Sequence, residues 1–525
     1  MSSHERKPYD GPTMDDLLEK LHVRRKAALK MGGKKNIERH RQSGRQTVRE
    51  RIDQLLDKGS FFETAGFALP ERRIEKHVPG DAVITGFGTI GGREVGIIGI
   101  DATVMAGSTA PISMRKQNRV IEQSQRFGIP MILLCDSDGG RMPDVMGWRF
   151  SGLPLNFKTF LAAPEGMPVV PRVGAVLGPS YGDSALHAST AHFVVMTKNS
   201  AVALSGPTVI EGAIGEKITD QELGGPDKAL KVGNAHMVVA TEADAWKAIA
   251  NFLSYMPDNS SQLPKVIDSC PPAIDPKKLE KIVPINPNRA YDISGVLACI
   301  ADSGSIFPWA NEWGIAVVTA FARIEGRPVG ILASRPMGGA GALDPDSLNK
   351  MRKFADMCDT FNLALIFLHD VPGLLIGTEA EEKGIVQAYE QLVLRLARSK
   401  VPKIGVVMRK AYGGGHFAFA GRPTHPDFQF AWPSAQMGFM APETGIRTVY
   451  RRELDKIRSE QGEEACQAKI DEYLEAWSKE SEPWEAAANL SFDDVIEPAA
   501  TRQVLADCLR FSAGMIKSKI LGYKV

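Results

Sequence analysis

The stretch Leu177–Ala185 reads LGPSYGDSA. Within it, Gly178-Pro179-Ser180-Tyr181-Gly182 has the G-x-S-x-G pattern that places a nucleophilic serine on a sharp strand-to-helix turn. The same residues carry a second chemistry. An apolar strand runs into Gly182-Asp183, which opens a helix. A helix start leaves backbone N–H groups free and partially positive. Glycine lets a reacting oxygen approach them, which makes an oxyanion site. A second stretch bears on the choice. Val401–Gly415, VPKIGVVMRKAYGGG, aligns with Val170–Ser184, VPRVGAVLGPSYGDS. Ser180 then stands opposite Ala411, and Tyr181-Gly182 opposite Tyr412-Gly413. The serine belongs to one copy and the glycine turn to both. His187 and His192 follow Ser180, but spacing alone assembles no Ser-His-Asp set. The shared feature points to two oxyanion sites, one at Gly182-Asp183 and one at Gly413-Gly414-Gly415.

The elements that position these turns repeat along the chain. GTIGGREVGII (Gly88–Ile98) matches ARIEGRPVGIL (Ala322–Leu332), and FGIPMILLCDS (Phe127–Ser137) matches FNLALIFLHDV (Phe361–Val371). Order and spacing are preserved: Gly92 to Gly326 and Asp136 to Asp370 are each 234 residues, and Tyr181 to Tyr412 is 231. EVGIIGID, MILLCDS and VGAVL are short apolar runs rich in β-branched residues, as buried strands are. ISMRKQNRVIEQSQRF and PDSLNKMRKFADMCDTF carry an apolar stripe with Lys and Arg opposite, as helices do. Alternation of the two predicts an α/β architecture of stacked ββα units, in tandem. The Pro-, Ser- and Asp-rich stretch MPDNSSQLPKVIDSCPPAIDPKK marks the boundary. From Arg451, RRELDKIRSEQGEEACQAKIDEYLEAWSKE reads as a peripheral helix pair without chemistry of its own.

A chain of 525 residues exceeds one core and implies two or three domains. A net charge of +1 gives no general attraction to nucleic acid. Six scattered cysteines form no C-x-x-C pair and suggest a reducing, cytoplasmic setting. No apolar run nears the roughly 18 residues of a membrane helix, and the polar N-terminus has no signal or transit pattern. Arg24–Arg51 holds eleven Lys and Arg against Glu38 and Glu50. It reads either as a solvated helix face or as a docking surface for phosphates.

Seven segments in order resemble the carboxyltransferase (beta) subunits of biotin-dependent acyl-CoA carboxylases, of the propionyl-CoA and methylcrotonyl-CoA carboxylase type. They are GGKKNIERHRQSGRQTVRERIDQLLDKGSFFE, ELGGPDKALKVGNAH, ARIEGRPVGILASRPM, DVPGLLIGTEAEEKGI, VPKIGVVMRKAYGGG, FAWPSAQMGFMAPETG and DDVIEPAATRQVL. The resemblance implies two tandem crotonase-like domains, residues 14–265 and 266–525. It implies carboxybiotin on a partner chain as CO2 donor and an acyl-CoA as acceptor, with no metal in this chain. The biotin left after CO2 release takes the α-proton of the thioester, and the enolate attacks CO2. Charge then builds on oxygen at both ends, which calls for two oxyanion holes. By resemblance Gly414 and Gly415 serve the biotin end, flanked by Tyr412 and Gly413, and Gly182 and Asp183 serve the thioester. Gly139, Gly140 and Arg141 would line the CoA side, and Arg24–Arg51 would help hold CoA phosphates. The resemblance also implies a hexamer, a trimer of dimers, with active sites between subunits.

The sequence departs from the family at three places. Asp183 stands where a second glycine is usual. Its carboxylate disfavours an adjacent oxyanion unless it is turned away or protonated. SDGGRMPDV (Ser137–Val145) keeps Gly139, Gly140 and Arg141 but lacks the usual Gln-Glu pair. AYGGGHFAF places His416 and Phe417 where Tyr and Asp are usual. Phe417 removes a charge and adds an aromatic face, which points to a branched or functionalised acyl group rather than simple propionyl. With no Ala-Met-Lys-Met site and no ATP-binding domain in the sequence, biotin is expected on another chain. Other readings remain at this point: the reverse decarboxylase reaction, a biotin-independent hydratase or isomerase using Asp183 and Glu211, and a scaffold without turnover.

Overall fold

In the computed structural model, which describes residues 10–72, 77–155 and 167–522, the repeat is visible strand for strand. The first half holds β1 (Phe62–Thr64), β2 (Val83–Ile90), β3 (Arg93–Ile100), β4 (Met131–Ser137), β5 (Arg172–Tyr181), β6 (Phe193–Thr197), β7 (Ala201–Ala203) and β8 (Met237–Val239). The second holds β9 (Phe307–Pro308), β10 (Val317–Ile324), β11 (Arg327–Ser334), β12 (Ala364–Val371), β13 (Lys403–Tyr412), β14 (Phe428–Ala431), β15 (Gln436–Gly438) and β16 (Asp494–Val495). The first sheet runs β1-β2-β3-β4-β5-β6-β8 with β7 on β5, and the second runs β9-β10-β11-β12-β13-β14-β16 with β15 on β13. In each, a hairpin and its edge strand pair antiparallel, and pairing is parallel from β3 or β11 onward. The polar first nine residues and the last three of the chain lie outside the described residues. No described helix is long and apolar enough to cross a membrane.

Both helices expected after the hairpins form, at Pro111–Phe127 and Pro345–Thr360. Each starts on a proline, whose missing N–H costs nothing in a first turn. Asp344 caps the second by accepting from Ser347 N at 2.8 Å, and Gly128 ends the first in the left-handed region. The same buried amine recurs on both: Lys116 Nζ donates to Val83 O, and Lys350 Nζ to Val317 O. Burial pushes these amines down, to about 8 and about 7. The helix pair Arg451–Gln461 and Glu463–Glu480 stands apart from both sheets on a small apolar contact of Ile446, Leu454, Cys466 and Ile470.

An aromatic seam joins the halves. Phe193 stacks on Phe252 at 5.0 Å and meets Phe307 at 5.3 Å, and Phe252 meets Phe321 at 5.8 Å. Hydrogen bonds cross the same seam, from Trp309 Nε1 to His192 O at 2.9 Å and from Tyr255 OH to Ser305 O at 2.5 Å.

At the C-terminal ends of the central strands the two sheets share one irregularity. Cys135 pairs with Val176 and Ser137 with Ser180, while His369 pairs with Val407 and Val371 with Ala411. β5 and β13 therefore each carry extra residues opposite Asp136 and Asp370. Such bulges re-aim a strand end, and here the strand end leads into the glycine turn. Asp370 is fully buried and accepts from Arg409 Nε at 2.9 Å and Nη2 at 2.6 Å. Asp370→Ala leaves that guanidinium buried without its partner. It should lower unfolding stability by about 3–5 kcal/mol in denaturant titration, and an unchanged midpoint would exclude this role.

Candidate active site

Each glycine turn leaves the end of a bulged strand and faces a loop from the neighbouring strand. In the first half, Gly182 has φ +61°, and a side chain on it would lie 3.5 Å from Gly139 Cα and 3.8 Å from Gly140 N. The β4 loop is held there by Thr109, whose N–H donates to Gly139 O at 2.8 Å and whose carbonyl accepts from Arg141 N at 2.7 Å. The second half repeats this. Gly413 has φ +53°, and a Cβ on Gly415 would lie 2.9 Å from Gly373 Cα. Leu343 takes the part of Thr109, with Leu343 N donating to Gly373 O at 3.1 Å and Leu375 N to Leu343 O at 2.8 Å. The first-turn N–H groups of each helix, Asp183–Ser189 and Gly413–Ala418, have no intrahelical acceptor. Two backbone donor sites of one design result, neither with a nucleophile in it.

The G-x-S-x-G stretch is thereby explained without a serine nucleophile. Ser180 is fully buried within β5, and its hydroxyl donates to Gly178 O at 3.3 Å. Gly178 exists for space: a Cβ there would sit 2.2 Å from Asp136 Oδ1. Asp136 accepts from Arg51 Nη1 at 2.9 Å and Arg45 Nη1 at 2.7 Å. Part of the basic segment is therefore neither a solvated face nor a docking surface. Arg51 is buried and also bonds Glu242 and Leu177 O. Arg39, His40 and Arg45 of that segment, with Asp136 and Asp138, line a cavity of about 280 Å³ that reaches Ala106 and Pro179 beside the first turn.

The side chains expected near ligands take the following places. The Arg141 guanidinium is engaged within the fold. It is buried, bonds Asp81 at 2.5 Å and Ser108 O at 2.8 Å, and pairs with Asp144 at 3.3 Å. Tyr412 is buried and donates its hydroxyl to Gln436 Oε1 at 3.0 Å, so it anchors the strand end. The His416 imidazole packs inward, 5.5 Å from the His369 ring, and burial lowers it to about 4. Phe417 is 37% exposed, so it does not fill the core. Gly182, Asp183, Gly414 and Gly415 lie on the two turns, and Gly139 and Gly140 on the loop facing the first. Glu211 is exposed and pairs with Lys217 at 3.8 Å, whereas Asp183 turns a carboxylate oxygen away from solvent, so the two are in unlike surroundings.

Sequence reasoning missed Thr109 and Gln117, which pack around Asp183. Thr109 Oγ1 donates to Asp183 Oδ1 at 2.8 Å. Burial raises the Asp183 carboxyl, against the pull of Thr109, the Ser184 and Asp183 N–H groups and Gln117. The repeat held the signal, since Leu343 and Met351 occupy the matching places in the second half.

The carboxyl transferase domain matches residues 39–519. The chain is 35% identical over 508 residues to the methylmalonyl-CoA carboxyltransferase 12S subunit of Propionibacterium freudenreichii subsp. shermanii, covering 95% of each chain. The chain belongs to the carboxyltransferase family. It is also 35% identical over 518 residues to the propionyl-CoA carboxylase carboxyltransferase subunit of Haloferax mediterranei, covering 97% of each. The solved transcarboxylase 12S hexamer with methylmalonyl-CoA and methylmalonic acid bound superposes with a TM-score of 0.88 at 34% identity, covering 96% of each chain. The two sheets are thus two tandem crotonase-like units, and the chain is a carboxyltransferase subunit of a biotin-dependent enzyme.

Ser180→Ala should leave carboxyl transfer within about twofold of wild type, since the second turn works beside Ala411; a large loss of kcat would restore the serine. Gly415→Ala should push the Gly373 loop away and lower kcat by about 10²–10³-fold, the usual effect of losing one oxyanion donor, with KM little changed.

Proposed function

We propose that this chain moves a carboxyl group from carboxybiotin, carried by a partner subunit, to an acyl-CoA, using one glycine turn for each oxyanion. The observation that carries the reading is the paired design: in each repeat the turn after the bulged strand lies against the matching loop, through Gly182 against Gly139-Gly140 in the first and, two residues further along the turn, through Gly415 against Gly373 in the second. Carboxybiotin supplies CO2 and, once relieved of it, the base for the α-proton. This chain's part is to hold charge on oxygen. The Gly413–Gly415 turn suits the ureido oxygen of biotin. A Cβ on Gly414 would press on Leu374 at 3.1 Å and on the Tyr389 ring at 3.2 Å, so a larger residue there must move those side chains. The Gly182–Asp183 turn suits the thioester oxygen, and Arg39, exposed beside the cavity in which Arg45 already pairs with Asp136, suits a phosphate of CoA. In this reading the repeats divide into residues 14–265 and 266–525, one sheet in each.

The two turns belong to one active site when the N-terminal half of one subunit faces the C-terminal half of another, in a hexamer as in the 12S relative. Exposed apolar side chains near both turns support this pairing. Met142, Met146 and Trp148 follow the first loop, and Ile376 and Phe439 flank the second turn. Phe417, exposed where it follows the second turn, favours an acyl chain with branched or functional apolar bulk.

The test is purification from the native host with the associated chains probed by labelled avidin, followed by an acyl-CoA panel on the intact complex. A stoichiometric biotinylated partner and bicarbonate fixation into a bulky acyl-CoA are expected. Propionyl-CoA as the best substrate removes the role given to Phe417. Hydration of an enoyl-CoA by the chain alone replaces the whole reading.

A further inference from the structure

The aromatic seam between the halves has two sides, and duplication gives each side a copy that the seam does not use. The second half contributes Phe307, Phe321 and Phe361, all buried. Phe307 pairs with Phe321 across β9 and β10, and Phe361 meets the His192 ring at 4.8 Å. The first half carries the same three rings. Phe62 pairs with Phe87 across β1 and β2 as Phe307 does with Phe321, and Phe87 and Phe127 stand 234 residues before Phe321 and Phe361. Here the rings face outward. Phe62 is 68% exposed and Phe127 57%, with Phe87 half-buried. With Ser60, Glu94 and Ile129 they line a cavity of about 280 Å³. An edge strand that bares apolar side chains in this way is a template for association.

In the second half the matching place is filled by Tyr255, the last residue of the helix Glu242–Tyr255 that follows β8. Its ring lies 5.8 Å from Phe321 and 6.1 Å from Phe307. Its hydroxyl bonds Ser305 O, two residues before Phe307, and Ser60 stands two residues before Phe62. The counterpart helix, Thr501–Phe511, follows β16 and ends on Phe511. This ring matches that of Tyr255 without the hydroxyl, and it is 67% exposed. Arg510, paired with Asp507, lies over one face of it at 4.2 Å. Phe428 stands opposite Ile404 as Phe193 stands opposite Val173, and it too is only partly buried. Both unused sides are therefore aromatic, and the exposure of Phe62 and Phe511 shows that they do not meet within one chain.

We propose that Phe511 of one copy of this chain seats among Phe62, Phe87 and Phe127 of a second copy, repeating between chains the seam that Tyr255 makes within each, and that three chains close a ring through this contact. The contact joins unlike surfaces, so it runs head to tail, and such contacts either close into rings or continue as filaments. Closure is what a hexamer needs. The pairing that brings the two glycine turns together joins only two chains, and rings of three joined by such pairs make six. Arg510 then comes to the exposed Glu94 on the rim, which places opposite charges at the border of an aromatic centre. The proposal does not depend on the chemistry assigned to the turns.

Two exposed rings give the test. Phe62→Glu and Phe511→Glu should each fold as wild type does, by circular dichroism. In sedimentation the wild-type chain should run as six copies and each variant as two, a threefold loss of mass. A wild-type chain that runs as one or two copies overturns the proposal, as does either variant running as three or six. A second measurement keeps the rings and reads who meets whom. Glu94→Cys with Arg510→Cys in one chain, treated with a short bismaleimide linker, should give bands of two and three chains on a denaturing gel. Either substitution alone should cross-link no more than wild type does. New bands from one substitution alone mean that like meets like, and they overturn the head-to-tail contact. A double variant that stays at one chain overturns the contact, and a ladder running past three overturns the closed ring. Each of these failures leaves the carboxyltransferase reading standing, because that reading is tested by transfer to an acyl-CoA.

Discussion

A buried carboxylate at the end of each central strand governs the geometry of both sites. Asp136 and Asp370 sit at the registers where β5 and β13 bulge, and each holds that bulge against its neighbour through guanidinium groups. The cations come from different places. In the second half Arg409 lies on the bulged strand, and its other nitrogen bonds the carbonyls of Pro284, Asn286 and Arg289. In the first half the matching position is Gly178, whose absent side chain leaves room for the Asp136 carboxylate and Arg45, while Arg51 arrives from the N-terminal helices. A buried charge pair of this kind tolerates a change of supplier, because what the fold requires is a cation at that point in space. The turns that follow, at Gly182 and Gly413, inherit their direction from it.

Duplication kept the frame and released the chemistry. The strand order, the bulge, the glycine turn and the facing loop occur twice. The side chains around the turns do not match. The first turn is ringed by Thr109, Gln117 and Asp183. The second has apolar residues there and places His369, His416 and the exposed Phe417 on its other side. One backbone frame thus stands in two different side-chain settings.

Much of this was legible in the chain. The ββα repeat, both glycine turns and the two long helices followed from apolar periodicity, from Pro and Gly punctuation, and from repeated order and spacing. The serine pattern misled only when read singly; its alignment with Ala411 removed the nucleophile before any coordinate did. Side-chain destination was not legible. Arg141, Tyr412 and His416 stand beside the turns in sequence, yet all three side chains serve the interior. Arg51 looked like one of eleven basic surface residues and is a core ion-pair partner.

The sequence by itself determined the architecture, the family and the positions of the glycine turns, because these depend on local periodicity and on glycine at particular places. Tertiary structure alone decided which charges are spent on the fold and which remain for chemistry. Ion pairs such as Arg51–Asp136 and Arg141–Asp81 span 85 and 60 residues of chain, and no local pattern encodes such a pairing. The same holds for Asp183. Its sequence shows a carboxyl in a glycine's place, and only the surrounding packing sets the Thr109 hydroxyl on it and raises it by burial.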